Sequence, residues 1–407
     1  MGIEWKAAKL NELGFVGRGK SRHRPRNAAS LYGGPYPFFQ TGDIKAANCF
    51  LTEFSQTYSE AGLAQSKLWK PGTLCITIAA NIAETAILGV EGCFPDSVVG
   101  FTADPEKSDV RFIKYYIDTI KLQMQSVSRG TTQDNLSLDK LLRFDLVVPY
   151  LAEQRRIANI LSAYDELIEN SQRRIRILES MARALYREWF VEFRFPGHEN
   201  HRMVDSVLGK IPEGWEGTLH SVASIDRNGL NPPDFPNERF EHFSIPAFDN
   251  GRMPTIELGE AILSTKYCID NTCVLLSKLN PRIPRIWLPS TGGTGRAITS
   301  TEFLVLKPRP GFSREYVYAK CCSEGFISQF SSLAIGTSTS HQRVKPESLL
   351  AMPSAVPDAT TIERFTKLIA PALAMSELLR GKIKNLRCTR DLLLPRLLSG
   401  QIEVNED

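Results

Sequence analysis

A chain of 407 residues, 42% hydrophobic and 23% charged, has the composition of a folded globular protein of two or three domains and excludes a disordered or fibrous one. Lysine and arginine exceed aspartate and glutamate by four (49 against 45), and a pI near 8.5 permits contact with nucleic acid without arguing for it. The eight cysteines form no CxxC pair and no zinc-like spacing with histidine, and Met1 to Trp5 carries no apolar signal region, so reduced thiols and a cytoplasmic location are expected.

In chain order, residues 1–150 carry short strand-like runs between Gly and Pro punctuation. Leu74-Cys75-Ile76-Thr77-Ile78 and Phe144-Asp145-Leu146-Val147-Val148 are examples, while Val110 to Met124 has helical spacing. One mixed domain is expected there. Arg18, Lys20, Arg22, Arg24 and Arg26, with His23 among them, form the densest basic run. The most apolar window, Thr73 to Val90, is interrupted by Asn81 and Glu84 and reads as a buried strand and its turn, so no membrane contact is expected.

From about Ala152 to Phe190 the pattern changes. Ile157, Leu161, Tyr164, Ile168, Ser171, Ile175, Leu178, Ala182, Leu185 and Trp189 follow one another at alternating spacings of four and three, the seam of a coiled coil. No Gly or Pro interrupts the segment. At 1.5 Å per residue it spans about 55 to 60 Å, and a lone helix of that length would expose its stripe. A partner is required. Adding 208 to each position gives Phe365, Ile369, Ala372, Ser376, Leu379, Ile383, Leu386, Arg390, Leu393 and Leu397, the same seam a second time. Arg390 is a misfit, and Pro371 predicts a helix that begins with a short turn and restarts near it.

Between the helices, Phe193 to about Gly214 reads as a polar linker, after which Trp215 restarts the pattern of Trp5. Cys273-Val274-Leu275-Leu276 and Glu302-Phe303-Leu304-Val305-Leu306 are strand-like, and aligning Thr73 with Thr272 sets Asn81 against Asn280. The expected division is 1–150 and 193–357 for two mixed domains, the second including the linker, 151–192 and 358–400 for two helices, and 401–407 for a tail.

Several catalytic signatures are nearly present. Asn231-Pro232-Pro233-Asp234 resembles the Asn-Pro-Pro-aromatic loop of adenine methyltransferases, with Asp234 where an aromatic would stack on a flipped base. Pro95-Asp96 with Asp104-Pro105-Glu106-Lys107 hints at a metal-dependent nuclease, yet Pro105 occupies the place of the second acid, so a surface turn is expected. Gly292-Gly293-Thr294-Gly295-Arg296 lacks phosphate-loop spacing and reads as a hairpin turn. No catalytic or metal-binding residues are assigned. Two polar loops remain, Arg129-Gly130-Thr131-Thr132-Gln133-Asp134-Asn135 and Thr337-Ser338-Thr339-Ser340-His341-Gln342-Arg343, each closing a domain at an equivalent place. Their Gln, Asn and Arg can bond base edges, and Ser and Thr suit phosphates. With the basic run, Asn81, Asn280, Arg282 and Arg285, these loops are the candidate DNA contacts.

In this order the segments resemble the specificity subunit of type I restriction-modification systems. The resemblance is carried by Arg18-Gly19-Lys20-Ser21, Tyr36-Pro37-Phe38-Phe39-Gln40-Thr41-Gly42-Asp43, Ile76-Thr77-Ile78-Ala79-Ala80-Asn81-Ile82, Cys93-Phe94-Pro95-Asp96-Ser97 and Gly130-Thr131-Thr132-Gln133-Asp134-Asn135. It continues through Ala184-Leu185-Tyr186-Arg187-Glu188-Trp189-Phe190, Ser277-Lys278-Leu279-Asn280-Pro281-Arg282 and Leu393-Leu394-Pro395-Arg396-Leu397-Leu398-Ser399-Gly400. The resemblance implies an α+β fold: two mixed α/β target-recognition domains separated by two long helices in an antiparallel coiled coil, with pseudo-twofold internal symmetry. It implies a non-catalytic subunit that binds double-stranded DNA, each domain reading half of a bipartite asymmetric site while the helices set the spacer. It further implies two methylation subunits, two restriction subunits, and S-adenosylmethionine, ATP and Mg carried by those partners rather than by this chain. Gly336-Thr337-Ser338-Thr339-Ser340-His341 departs from the first loop, so the half-sites should differ. The alternative reading is an adenine methyltransferase acting through its own Asn231 loop.

Overall fold

A computed structural model describes residues 5–128, 136–293, 295–335 and 342–402. The chain divides into two units, residues 1–170 with 384–407, and residues 171–383. The helices Leu151–Phe190 and Ala359–Leu398 each contribute to both.

In the first unit a five-stranded sheet runs in the order Gly14–Arg18, Val98–Ala103, Leu74–Thr77, Thr85–Leu88, Phe50–Leu51. Leu74–Thr77 is buried at every residue, which is why it reads as a continuous apolar run instead of an alternation. A four-stranded sheet follows the order Gln56–Tyr58, Tyr32–Phe38, Gly92–Cys93, Leu68–Trp69. The helix Val110–Ser128 brings Phe112, Ile113 and Ile117 into one core with Leu74, Ile76 and Phe101. A ribbon of Trp5–Ala8 and Leu146–Pro149 leads into the first long helix.

The second unit repeats this plan with altered parts. Its four-stranded sheet is ordered Ala223–Asp226, Phe303–Pro308, Val274–Ser277, Ile286–Trp287, and the ribbon Glu216–Thr218 with Pro353–Ala355 precedes the second long helix. A separate five-stranded sheet runs Gly229–Leu230, Lys266–Cys268, Arg296–Ser300, Arg239–Phe243, Thr255–Leu258. The stretch read as a linker is folded. Met203–Ser206 and Gly209–Pro212 form a hairpin, Ile211 enters the core, and Phe195 stacks on Trp215 at 4.9 Å. Its polar composition concealed this because only one face of so short a ribbon needs apolar residues.

The two long helices pack together. In the first unit Ile157, Ala158 and Leu161 share a core with Leu397 and Leu398; in the second Ala182, Tyr186 and Trp189 share one with Ile362, Phe365 and Ile369. Low numbers on one helix meet high numbers on the other in both places, so the helices are antiparallel. Every seam position, from Ile157 to Trp189 and from Phe365 to Leu397, is buried or half-buried. The second helix is continuous through Pro371, contrary to the expected restart. Pro371 is exposed, where water can satisfy the carbonyl it leaves unbonded, while Ile369 and Leu373 on either side stay buried and hold the axis.

Arg390 also finds its explanation. Its guanidinium donates to Asp165, whose side chain is 4% exposed and also accepts the Tyr115 hydroxyl at 2.6 Å. In the second unit Glu179 plays a related part, accepting from Arg380 of the second helix and from Arg252 at 2.9 Å. Two buried lysines contrast with one another. Burial acts to lower Lys114, but Asp118 at 2.7 Å overcomes it and the ammonium sits above its ordinary range. Among the described residues Lys320 has no carboxylate partner, and burial pushes its ammonium down to about 8.

A lowered lysine costs stability wherever the folded chain must keep the proton. The penalty is therefore full below pH 8 and is relieved as pH rises from 8 towards the unfolded value of 10.5. Lys320→Met is expected to stabilise the chain at pH 7 by about 2 to 3 kcal/mol, with the gain shrinking over that window. Urea unfolding at pH 7 and at pH values inside the window checks this; a destabilised variant at pH 7 would contradict it.

Candidate nucleic-acid interface

The basic run of the first unit lies in a loop that the backbone pins in place. Gly19 donates to Val98 O at 2.9 Å, Lys20 to Phe94 O at 3.2 Å, and Gln65 Oε1 accepts the amides of Arg22 and His23 at 2.6 and 3.0 Å. A Cβ at Gly19 would stand 2.3 Å from Pro95 O, so only glycine permits this close crossing. Arg18, Lys20, Arg22, Arg24 and Arg26 are all exposed, as a phosphate-contacting set requires, but they are not equally free. Arg26 bonds both Asp96 carboxylate oxygens, at 2.9 and 3.0 Å, and Arg18 donates to the Asp96 carbonyl. Arg24 turns back onto Ser21 O and His23 O. Among the described residues Lys20 and Arg22 have no ion-pair partner. Asp96 thus belongs to a surface ion pair, and Asp104 pairs with Lys107 at 3.0 Å, so the nuclease-like spacing resolves into surface turns.

Beside this loop lies a cavity of about 420 Å³, lined by Ser21, Arg26, Asn27 and Tyr32 together with Gln40 and Gln56, whose amides bond each other at 2.7 Å. Sequence reasoning missed one neighbouring feature. Lys67 Nζ sits 3.6 Å from the Trp69 ring centroid and 4.7 Å from that of Phe15, which is 57% exposed. Its one signal was a lone aromatic in Gly14–Arg18 next to the basic run.

In the second unit the structure brings Asn280, Arg282, Gln342 and Arg343 together. Asn280 donates its amide to Gln342 O at 2.9 Å, and Arg343 forms isolated β-bridges with Leu279 and Ile335. Arg343 is fastened to Glu302 at 3.0 Å and Arg285 to Asp249 at 2.8 and 2.9 Å, whereas Arg282 is exposed with no ion partner among the described residues. These ion pairs tether Arg285 and Arg343 to neighbouring carboxylates. Arg129, Thr131, Thr132, Gln133, Asn135, Thr337, Ser338 and His341 lie outside the described residues. The segment after each of those loops is anchored alike: Leu136 donates to Ile78 O at 2.9 Å and Val344 to Lys278 O at 3.1 Å. In both units the chain after the loop thus bonds the end of the equivalent strand.

That correspondence corrects the alignment of Asn81 with Asn280. Leu74–Thr77 superposes in register on Val274–Ser277, Ile78 on Lys278, and Ala80 on Asn280; these last two share the left-handed φ of +49°. Asn81 is one residue further on, exposed, accepting from Lys45 at 3.2 Å. Asn280 is half-buried, with its Oδ1 unbonded. The two asparagines are not equivalents.

The Asn231 loop is a 3₁₀ turn in which the Asn231 amide donates to Asp234 at 2.8 Å, and Gly259 packs against Pro232 O and Phe235 O. The amide that would read a base is thus bonded within its own turn. Gly292 and Gly293 do not form a hairpin. They cross between two sheets, from Ile286–Trp287 to Arg296–Ser300. Among the described residues no helix is long and apolar enough to cross a membrane.

Residues 2–180 match the family model described as the type I restriction modification DNA specificity domain. Over 99% of this chain and 94% of the relative, the sequence is 22% identical to the type I restriction enzyme MjaIX specificity subunit of Methanocaldococcus jannaschii. The MjaVIII specificity subunit of the same organism is 26% identical over 32% of this chain and 30% of its own length. Among solved structures, the type I restriction-modification S subunit from M. genitalium is similar in fold, with a TM-score of 0.62 at 15% identity, covering 97% of this chain and 96% of that one.

Proposed function

We propose, from the premise that this chain belongs to the family of type I restriction-modification DNA specificity subunits, that each of its two sheet-built units reads one half of a bipartite, asymmetric DNA site. The chain is a non-catalytic DNA-binding component of such a complex; the finer assignments that follow are ours. Residues 1–150 and 193–357 act as the two recognition domains, and the paired helices fix the unread spacer between half-sites. The observation that carries the reading is internal: in both units the segment that follows the polar loop bonds the same strand end, through Leu136 on Ile78 and Val344 on Lys278, while the residues around it differ. One scaffold presents two different reading surfaces.

Exposed Lys20, Arg22 and Arg282 supply phosphate contacts, and Asn280 and Gln342, with the loops 129–135 and 336–341, supply base contacts in the major groove. Each good bidentate base contact contributes about 1 to 3 kcal/mol of discrimination. Two methylation subunits, bearing S-adenosylmethionine, and two restriction subunits, using ATP and Mg, complete the enzyme. The alternative, methyl transfer through Asn231, is disfavoured because Asp234 both occupies the aromatic position and takes the Asn231 amide.

The test is to co-express the chain with its methylation subunit in a methylation-free host and map modified adenines. Exchanging residues 1–150 for another recognition domain is expected to change one half-site and leave the other intact. Alteration of both halves would end the modular reading. The double variant Lys20→Ala/Arg22→Ala is expected to weaken binding to all DNA sequences alike and to reduce the slope of log affinity against log salt by about 2. A loss confined to the cognate site, with the slope unchanged, would remove both residues from the phosphate contacts.

A further inference from the structure

Lys320 is 8% exposed, and among the described residues its Nζ has neither an ion pair nor a hydrogen bond. It lines a cavity of about 180 Å³ within the second unit. The floor is apolar, formed by Tyr186 and Phe190 of the first long helix with Leu219 and Met352. Ser323 and Gly325, from the start of the nine-residue helix Glu324–Ser332, and Gln329, further along it, are also among the lining. Ser323 Oγ caps that helix by accepting the Phe326 amide at 3.4 Å and donates to Lys320 O at 2.8 Å. The amides of Glu324 and Gly325 come before the first intrahelical bond, and a helix start of this kind carries partial positive charge. Gly325 is exposed and a Cβ there would meet nothing within 4 Å, so the space beside it is open.

The repeat shows that this arrangement is not a requirement of the fold. Asp109 caps the amide of Phe112 as Ser313 caps that of Tyr316, which sets Tyr116 of the first unit in the place of Lys320. Tyr116 accepts the Val147 amide at 3.0 Å and so closes onto its ribbon strand. Lys320 makes no such bond to the equivalent strand Pro353–Ala355. The second unit has replaced a satisfied tyrosine with a buried cation facing an empty, half-apolar space.

We propose that this cavity binds a small organic monocarboxylate, its carboxylate held between the Lys320 ammonium and the start of Glu324–Ser332 and its apolar body against Tyr186, Phe190 and Met352. An inorganic anion would leave the apolar floor uncovered; a neutral ligand would leave the lysine uncompensated. The volume lies below the roughly 300 to 1,000 Å³ of pockets for drug-sized ligands, which sets the size class.

Isothermal titration of the full chain with phenylacetate, phenylacetamide and inorganic phosphate tests the assignment. Phenylacetate is expected to bind, with phenylacetamide and phosphate weaker by roughly tenfold or more. Lys320→Met should abolish phenylacetate binding. Gly325→Leu, which retains the lysine and fills the open space, should weaken it by about tenfold, so the result does not depend on one variant. Binding of the amide or of phosphate as tight as that of phenylacetate would overturn the proposal. So would phenylacetate binding that survives both substitutions, or no binding at about 10 mM.

Discussion

Asp165→Ala is expected to destabilise the chain by roughly 3 to 5 kcal/mol, the cost typical of removing one partner from a buried ion pair. The carboxylate is 4% exposed and joins two elements, accepting from Arg390 of the second long helix and from Tyr115 of Val110–Ser128 at 2.6 Å. Its removal leaves a buried phenol without its acceptor and strips Arg390, 23% exposed, of its partner on the other helix, with only Asp391 at 2.8 Å remaining. The repeat supplies the control. Positions 208 away from this pair are Leu373 and Ala182, both buried in one core, so the other half of the seam does without charge here. The double variant Asp165→Leu/Arg390→Ala should therefore recover most of what Asp165→Ala loses. Urea unfolding of the two singles and the double gives the coupling directly. If the double were as unstable as the single, the pair would be acting through something other than mutual compensation.

Seven residues inserted after Asn170, together with seven after Ile383, are expected to move the mapped half-sites apart by about three base pairs without altering either one. Seven residues restore the phase of a 3.5-residue seam and add about 10 Å of helix, and B-form DNA rises about 3.4 Å per base pair. Insertion into one helix alone shifts Ile157–Ile168 and Leu386–Leu397 out of step with one another and should yield an unstable chain instead of a new spacer. Modified adenines at the original spacing in the double insertion would show that the helices do not measure the site.

The parts of the structure that were legible in sequence are those with a period. The seam from Ile157 to Trp189 could be read, and read again 208 residues later, because burial on a helix recurs at fixed intervals. Leu74–Thr77 and Phe303–Pro308 were legible for their unbroken apolar runs. Pairings between distant charges have no such signature. Nothing local tells Arg26 that it will meet Asp96, or Arg285 that it will meet Asp249, so a basic run looked like five equal cations when at least two were already engaged. The shift of Asn280 onto Ala80 has a similar origin: a four-residue strand buried throughout gives no phase, so a slip of one residue is invisible until hydrogen bonds fix the register. Arg390 looked like a defect because its compensating group lies on the other helix, 225 positions away.

The exits of the two long helices have a topological consequence. The chain leaving the first helix passes through Phe195, which stacks on Trp215 where the second unit's ribbon begins; the chain leaving the second passes through Gly400, where a Cβ would stand 2.9 Å from Trp5 Nε1. Each exit thus rests on the tryptophan that opens a ribbon, once through continuous chain and once by contact alone. Trp5 and Ile402 pack against one core within the first unit. A circular permutant joined near Trp5 and Ile402 and opened in the exposed turn around Val207 preserves every sheet and both helices. The second unit would then precede the first along the chain, each with its internal contacts kept.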